Sequence, residues 1–264
     1  MSHKKIGVFD SGVGGLTVLQ QLIRLLPHES FVYFGDTARV PYGEKSGETI
    51  IRYSIESAQM LAQKDIKMLV VACNTVSSHA LDHLREILNV PVVGVIEPGA
   101  RKAVEETSEG RIAVLGTKAT IRSQAYQKEI LSIAPDMKVF PIACPLFVPL
   151  IEEHYAYHEA TRLIVREYLR PLKEQSIDTL LLGCTHYPLL KEMISEELEG
   201  VHIVDSAIAC AEWVVETLQE NNLQSNEKGF PELDYIVSDD PQKFQLLGRS
   251  LLQLAIDHVA EIKM

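Results

Sequence analysis

The chain has 264 residues, is 46% hydrophobic and carries a formal charge of -11. That length suits one large domain or two small ones with ample core. The acidic balance argues against non-specific binding to nucleic acid or to an anionic membrane, and no apolar run approaches the ~20 residues needed to span a bilayer. The opening MSHKKIGVFD is not expected to be a signal peptide, because Asp10 ends a very short apolar stretch. Four cysteines without a paired framework fit a reducing, cytoplasmic setting.

Lys5 to Phe9 reads as a buried strand, and Asp10-Ser11-Gly12-Val13-Gly14-Gly15 as a glycine-rich turn. A helix is expected from Leu16 to Leu26, a strand from Phe31 to Phe34, and a loop at Val40-Pro41-Tyr42-Gly43. A helix over about 48–63 leads into a strand ending at Cys73, and a further helix spans Val76 to Leu88. Val90 to Ile96 reads as a strand ending at Glu97-Pro98-Gly99. This alternation predicts a parallel sheet with helices on both faces.

The pattern then repeats. Arg111 to Thr120, RIAVLGTKAT, echoes KIGVFDSGVG. Lys138 to Ala143, Leu180 to Gly183 and Val201 to Asp205 stand in for the later strands of the first unit. The offset is 112 − 6 = 106 for the first strands and 184 − 73 = 111 for the cysteines. Two copies of one α/β unit are the simplest reading. The predicted fold is α/β, with two similar doubly wound parallel-sheet lobes and an active site in the cleft between them. Residues 1–97 with 209–264 form the first lobe, and 98–208 the second. Leu223 to Glu232 reads as a polar surface loop, and Asp239-Asp240-Pro241 opens a long final helix to about Ile262.

The stretches LVVACNTVSSHAL, from Leu69, and LLLGCTHYPLL, from Leu180, organise the site. Each runs from an apolar strand through a cysteine to an expected helix start. Open parallel sheets bind ligands at the carboxyl ends of their strands. A helix N-terminus also favours a thiolate. A lone cysteine is usually a small buried hydrophobe, which is the reading for Cys144 and Cys210. Cys73 and Cys184 occupy equivalent positions, so chemistry is the better reading for them.

The DSGVGG turn fails the dinucleotide fingerprint, since Thr17 stands where the third glycine is needed, although Asp36 sits about where a ribose-binding acid would. It still offers an anion cradle of backbone N–H groups. Asp10 and Ser11 at its start face the same crevice as Cys73, or Asp10 is simply a cap. His186, two residues beyond Cys184, is either a capping group or a proton donor that tunes the thiol. Glu152, after CPLFVPL, reads equally as a solvated helix-start acid or a site acid. His79 and His83 stand four apart on one helix, and a solvated face is expected for them. No metal site is expected.

Together FDSGVGGLTVL, YFGDTARVPYG, VVACNTVSS, GVIEPG, VLGTKAT, ACPLFVPLIE and LGCTHYPLL resemble the glutamate racemases of the aspartate/glutamate racemase superfamily, in order, over residues 6 to 190. The resemblance implies a cofactor-independent isomerase that interconverts L- and D-glutamate for peptidoglycan. It implies Cys73 and Cys184 as the two acid/base thiols, with Asp10, Glu152 and His186 as catalytic assistants. It implies substrate contacts from Asp10-Ser11, Tyr42-Gly43, Asn74-Thr75 and Thr185-His186. The chemistry agrees, because inversion must remove a proton from one face of a carbon and return one to the other, and one base cannot easily reach both. Racemisation of aspartate or a related acid is the alternative. A two-lobed amino-acid-binding protein without chemistry is the alternative from another class. A homodimer is left open.

Overall fold

The computed structural model describes residues 4–225 and 231–264. The first unit runs β1 (Lys5–Asp10), α1 (Leu16–Leu25), β2 (Phe31–Gly35), α2 (Gly47–Ala62), β3 (Ile66–Val71), α3 (Asn74–Ile87), β4 (Val92–Gly94) and α4 (Ile96–Glu106). The second runs β5 (Arg111–Gly116), α5 (Lys118–Ser123), α6 (Ala125–Ile133), β6 (Lys138–Ala143), α7 (Phe147–Glu152), α8 (Glu159–Lys173), β7 (Thr179–Gly183), α9 (Lys191–Glu197) and β8 (His202–Asp205). The chain ends with α10 (Ser206–Glu220), β9 (Leu233–Val237), α11 (Pro241–Leu252) and β10 (Ala260–Glu261).

These strands form two sheets of parallel pairs, ordered β10-β9-β2-β1-β3-β4 and β6-β5-β7-β8. The order β2-β1-β3-β4 recurs as β6-β5-β7-β8, so the sequence repeat is a repeat of topology. β3, IKMLVV, is buried at every position, because helices cover both of its faces. Separate apolar clusters fill the two faces of each sheet. In the first lobe Leu16, Leu19 and Leu22 pack on one face, and Ile50, Leu61 and Leu84 on the other. Local chemistry starts the helices. Ser46 Oγ accepts from Thr49 N at 3.3 Å to cap α2, and Asp205 Oδ1 accepts from Ala207 N at 2.8 Å to cap α10.

Four expectations need correction. The final helix stops at Leu252, not Ile262, because Gln253 turns into the left-handed region (φ 55) and its N–H closes back on Arg249 O. The chain then folds back over α11, where Gly248 leaves room for the fully buried Ile256, and β10 pairs with β9. The Val90–Ile96 strand shrinks to β4, and Glu97-Pro98-Gly99 lies in the first turns of α4, where proline's missing N–H costs nothing. After Cys184 the chain enters a short 3-10 turn, Tyr187–Leu190, before α9. His79 is not simply solvated, since its Nε2 lies 3.2 Å from Ala119 O in the second lobe. Within the expected loop over Leu223 to Glu232, residues 226–230 lie outside the described residues.

Candidate active site

In each sheet the chain order reverses beside the first strand, which opens a crevice at the carboxyl ends of the two central strands. The first lobe brings Asp10, the last residue of β1, with Ser11 after it, and Cys73-Asn74, after β3, to that edge. The second brings Thr117, after β5, and Cys184-Thr185-His186, after β7. The two edges enclose one cavity of about 480 Å³. Of the residues expected at the site, Ser11, Tyr42, Gly43, Cys73, Asn74, Thr75, Glu152, Cys184, Thr185 and His186 line it.

Asp10 does not line the cavity. It is fully buried under the glycine turn, with Oδ2 accepting from Gly12 N at 2.8 Å and Oδ1 lacking any partner among the described residues. Burial pushes its carboxyl above the usual range, against the backbone N–H groups of Gly12 and Gly15 and the nearby His186. Asp36 holds the loop bearing Tyr42 in place. It accepts from the Tyr42 hydroxyl, from Arg39 Nε at 2.6 Å and from Ser238 Oγ at 2.8 Å.

Cys73 forms the N-cap of α3 and is only 6% exposed. The helix terminus does not produce a resting thiolate there. Burial pushes the thiol up to about 12, and the Asp10 charge adds to this, against weaker hydrogen bonds from Ser11 and the Val76 N–H. Ser11 Oγ lies 3.5 Å from the sulfur. Cys184, 5% exposed, faces the same cavity from the other lobe.

His186 Nε2 lies 3.0 Å from Glu152 Oε1, joining the ends of β7 and α7. Burial alone would lower the imidazole's pKa. Hydrogen bonds with Cys184 and Glu152, and their charges, instead raise it to about 10, so the ring is an imidazolium at neutral pH. Burial works to raise Glu152, but its hydrogen bond with His186 carries it below the usual range. Gly14 makes the histidine's position possible, because a Cβ there would lie 2.4 Å from His186 Nδ1.

Several residues in and behind the lining escaped sequence reasoning. Thr117, in the lining, and Thr120, behind it, form a hydroxyl triangle across the lobes with the expected Thr75, with Oγ1 separations of 2.9, 3.0 and 3.2 Å. The repeat contained the signal for Thr117, since the offset of 106 carries Ser11 onto it. Glu44 and Lys118 pair at 3.2 Å, also across the lobes, and both line the cavity. Val40, Pro41, Leu146, Val148 and Pro149 add apolar lining. Cys144 and Cys210 are buried, as expected, and neither lines the cavity. Among the described residues no group of three or more His, Cys, Asp or Glu is placed to hold a metal ion, and no helix is long and apolar enough to cross a membrane.

The Asp/Glu/Hydantoin racemase family model matches residues 6–214. A glutamate racemase of Geobacter metallireducens is 52% identical over 267 residues, covering all of this chain and 98% of that one. The crystal structure of a glutamate racemase isoform from Bacillus anthracis superposes with a TM-score of 0.97 at 39% identity, covering 100% of this chain and 99% of that one. That of the Francisella tularensis glutamate racemase, in complex with D-glutamate, has a TM-score of 0.94 at 37% identity, covering 100% and 98%. With two parallel sheets in the same arrangement and a family match across most of its length, this chain belongs to the Asp/Glu/Hydantoin racemase family.

Proposed function

We propose that this chain interconverts L- and D-glutamate by moving a proton between two thiols, Cys73 and Cys184. One observation carries the reading. Both thiols open on a single cavity, each from the carboxyl end of an equivalent strand in a different sheet. The names of the relatives, and the D-glutamate bound to the Francisella protein, supply the substrate.

Cys73 carries its proton at rest, since burial holds its thiol near 12. From L-glutamate, Cys184 takes the α-proton and Cys73 delivers its own to the opposite face. The product is D-glutamate, with Cys184 protonated and Cys73 a thiolate. D-Glutamate runs the same steps in reverse. The paired thiols titrate as a unit. The developing carbanion is stabilised by donors fixed in a site shielded from water. Asn74 Nδ2, without a partner among the described residues, the Ser11 and Thr75 hydroxyls and the His186 imidazolium surround the substrate's carboxylates. Glu152 holds His186, and Asp10 acts from beneath the glycine turn. The steps need no cofactor. Residues 1–97 with 209–264, and 98–208, act as the two lobes of the clamp. Both thiols come from one chain, so the chemistry does not require a homodimer. The product supplies D-glutamate for peptidoglycan in the cytoplasm.

The test follows the circular dichroism of each glutamate enantiomer with purified protein, beside aspartate. Decay of both glutamate signals to zero supports the reading. A preference for aspartate, or no change with any acid, contradicts it.

A further inference from the structure

Tyr126 belongs to the second lobe, yet its hydroxyl acts in the first. Its ring is 1% exposed and packs in the second lobe's core with Ile112, Val114, Ile130 and Leu181. It is fitted between two glycines. A Cβ at Gly183 would lie 2.9 Å from Tyr126 Cε2, and one at Gly99 would lie 3.3 Å from both Cε1 and the hydroxyl. From that slot the hydroxyl reaches Asn74 Oδ1 at 2.6 Å. The Val95 carbonyl oxygen, a backbone acceptor, is farther away at 3.4 Å. A phenol has one hydrogen to donate, and the short contact takes it.

The consequence falls on the other end of the amide. With its oxygen engaged, Asn74, which lines the cavity, keeps Nδ2 as its remaining donor group. Nδ2 is buried and has no partner among the described residues. A buried, unpaired donor is costly unless a ligand completes it. An amide free to turn over would instead offer its oxygen to an incoming carboxylate, which repels it.

We infer that Tyr126 is a positioning residue: its hydroxyl fixes the orientation of the Asn74 amide, so that the pocket presents a donor to the substrate's carboxylate. This rests on the reading of Asn74 as a substrate contact. Because the phenol is seated in one lobe and the amide in the other, the donor is set correctly only when the lobes are in register.

The experiment is a double-mutant cycle with steady-state kinetics from both glutamate enantiomers. Tyr126→Phe removes only the hydroxyl. The contact serves ground state and transition state alike, so KM should rise about tenfold for both enantiomers while kcat stays within about threefold. Tyr126→Phe added to Asn74→Ala should raise KM no further than Asn74→Ala alone, because Tyr126 acts through that amide. Gly99→Ala provides a second perturbation that keeps the phenol. Its Cβ would crowd the hydroxyl, so it should also raise KM, and that effect should also vanish in the Asn74→Ala background. Melting temperatures of all variants track folding, and should Tyr126→Phe fail to fold, Gly99→Ala decides alone. Unchanged KM in Tyr126→Phe overturns the inference, as does a KM rise of equal size in the Asn74→Ala background, or an Asn74→Ala variant with wild-type KM. Absence of racemisation by the unmutated protein would defeat the proposed function instead, which keeps the two failures distinct.

Discussion

Gly14→Ala isolates how tightly the glycine turn and the second lobe are fitted together. The added Cβ would lie 2.3 Å from Thr185 Oγ1, 2.4 Å from His186 Nδ1 and 2.5 Å from His186 Cε1. Ordinary contact begins near 3.4 Å, so 3.4 − 2.4 requires the histidine to retreat by about 1 Å. It has little room to do so. Nε2 is held by Glu152 at 3.0 Å, and the neighbouring Thr185 carbonyl accepts from Thr17 at 3.0 Å. A displacement of about 1 Å at a reacting centre costs about 100-fold in rate, which is about 2.7 kcal/mol in the barrier. Overpacking should remove a further ~1–3 kcal/mol of stability, seen as several degrees in the melting temperature. Gly12→Ala is the stability control, since its Cβ would meet only Val40 Cγ1, at 3.4 Å. It should stay within ~0.5 kcal/mol of the unmutated protein. The assay is kcat/KM from each enantiomer by circular dichroism, beside thermal melts. If Gly14→Ala kept unmutated kinetics and stability, the close fit of His186 against the turn would be refuted.

Two further outcomes follow, one from which thiols reach the cavity and one from the ionisation of His186. Thiol alkylation at neutral pH should inactivate the protein with labelling at the cavity thiols, and glutamate should protect. Cys144 and Cys210, buried away from the cavity, should stay unlabelled in the folded protein. Mass mapping that found label only on Cys144 or Cys210 would count against the site. His186 has a folded pKa near 10 against an ordinary value of 6.5. A raised pKa contributes stability that is complete below about pH 6.5 and is lost as pH climbs through about 10. The melting temperature of the unmutated protein should therefore exceed that of His186→Gln most at pH 6 and least at pH 10. A gap that widened with pH would contradict the imidazolium.

What the sequence made legible was local and periodic. The uninterrupted runs before Cys73 and Cys184 read as strands covered on both faces, and β3 and β7 are buried throughout. The repeat of KIGVFDSGVG in RIAVLGTKAT carried the second sheet's order with it. Residues pairing across the lobes stayed hidden. Nothing near Tyr126 in the chain announces Asn74, fifty-two positions away, as its partner. Thr75 likewise meets Thr117 and Thr120 only once the sheets face each other. The final helix was overextended because Leu254 and Val259 keep packing on the core after Gln253 has turned the chain. Apolar spacing alone does not register that left-handed turn, which lacks the usual glycine. The upward push on the Cys73 thiol stayed hidden for a related reason. Its place at a helix N-terminus is visible in the sequence, whereas burial beside Asp10 is not.

The central claim is that each thiol owns one face of the α-carbon. Proton NMR of the glutamate α-position in deuterated buffer tests it with Cys73→Ala and Cys184→Ala. Both variants should lose racemisation severely and non-additively, because the pair acts as a unit. Cys184→Ala should wash deuterium into D-glutamate without inverting it, and Cys73→Ala should do so with L-glutamate. Near-normal racemisation by either variant would contradict the two-thiol account.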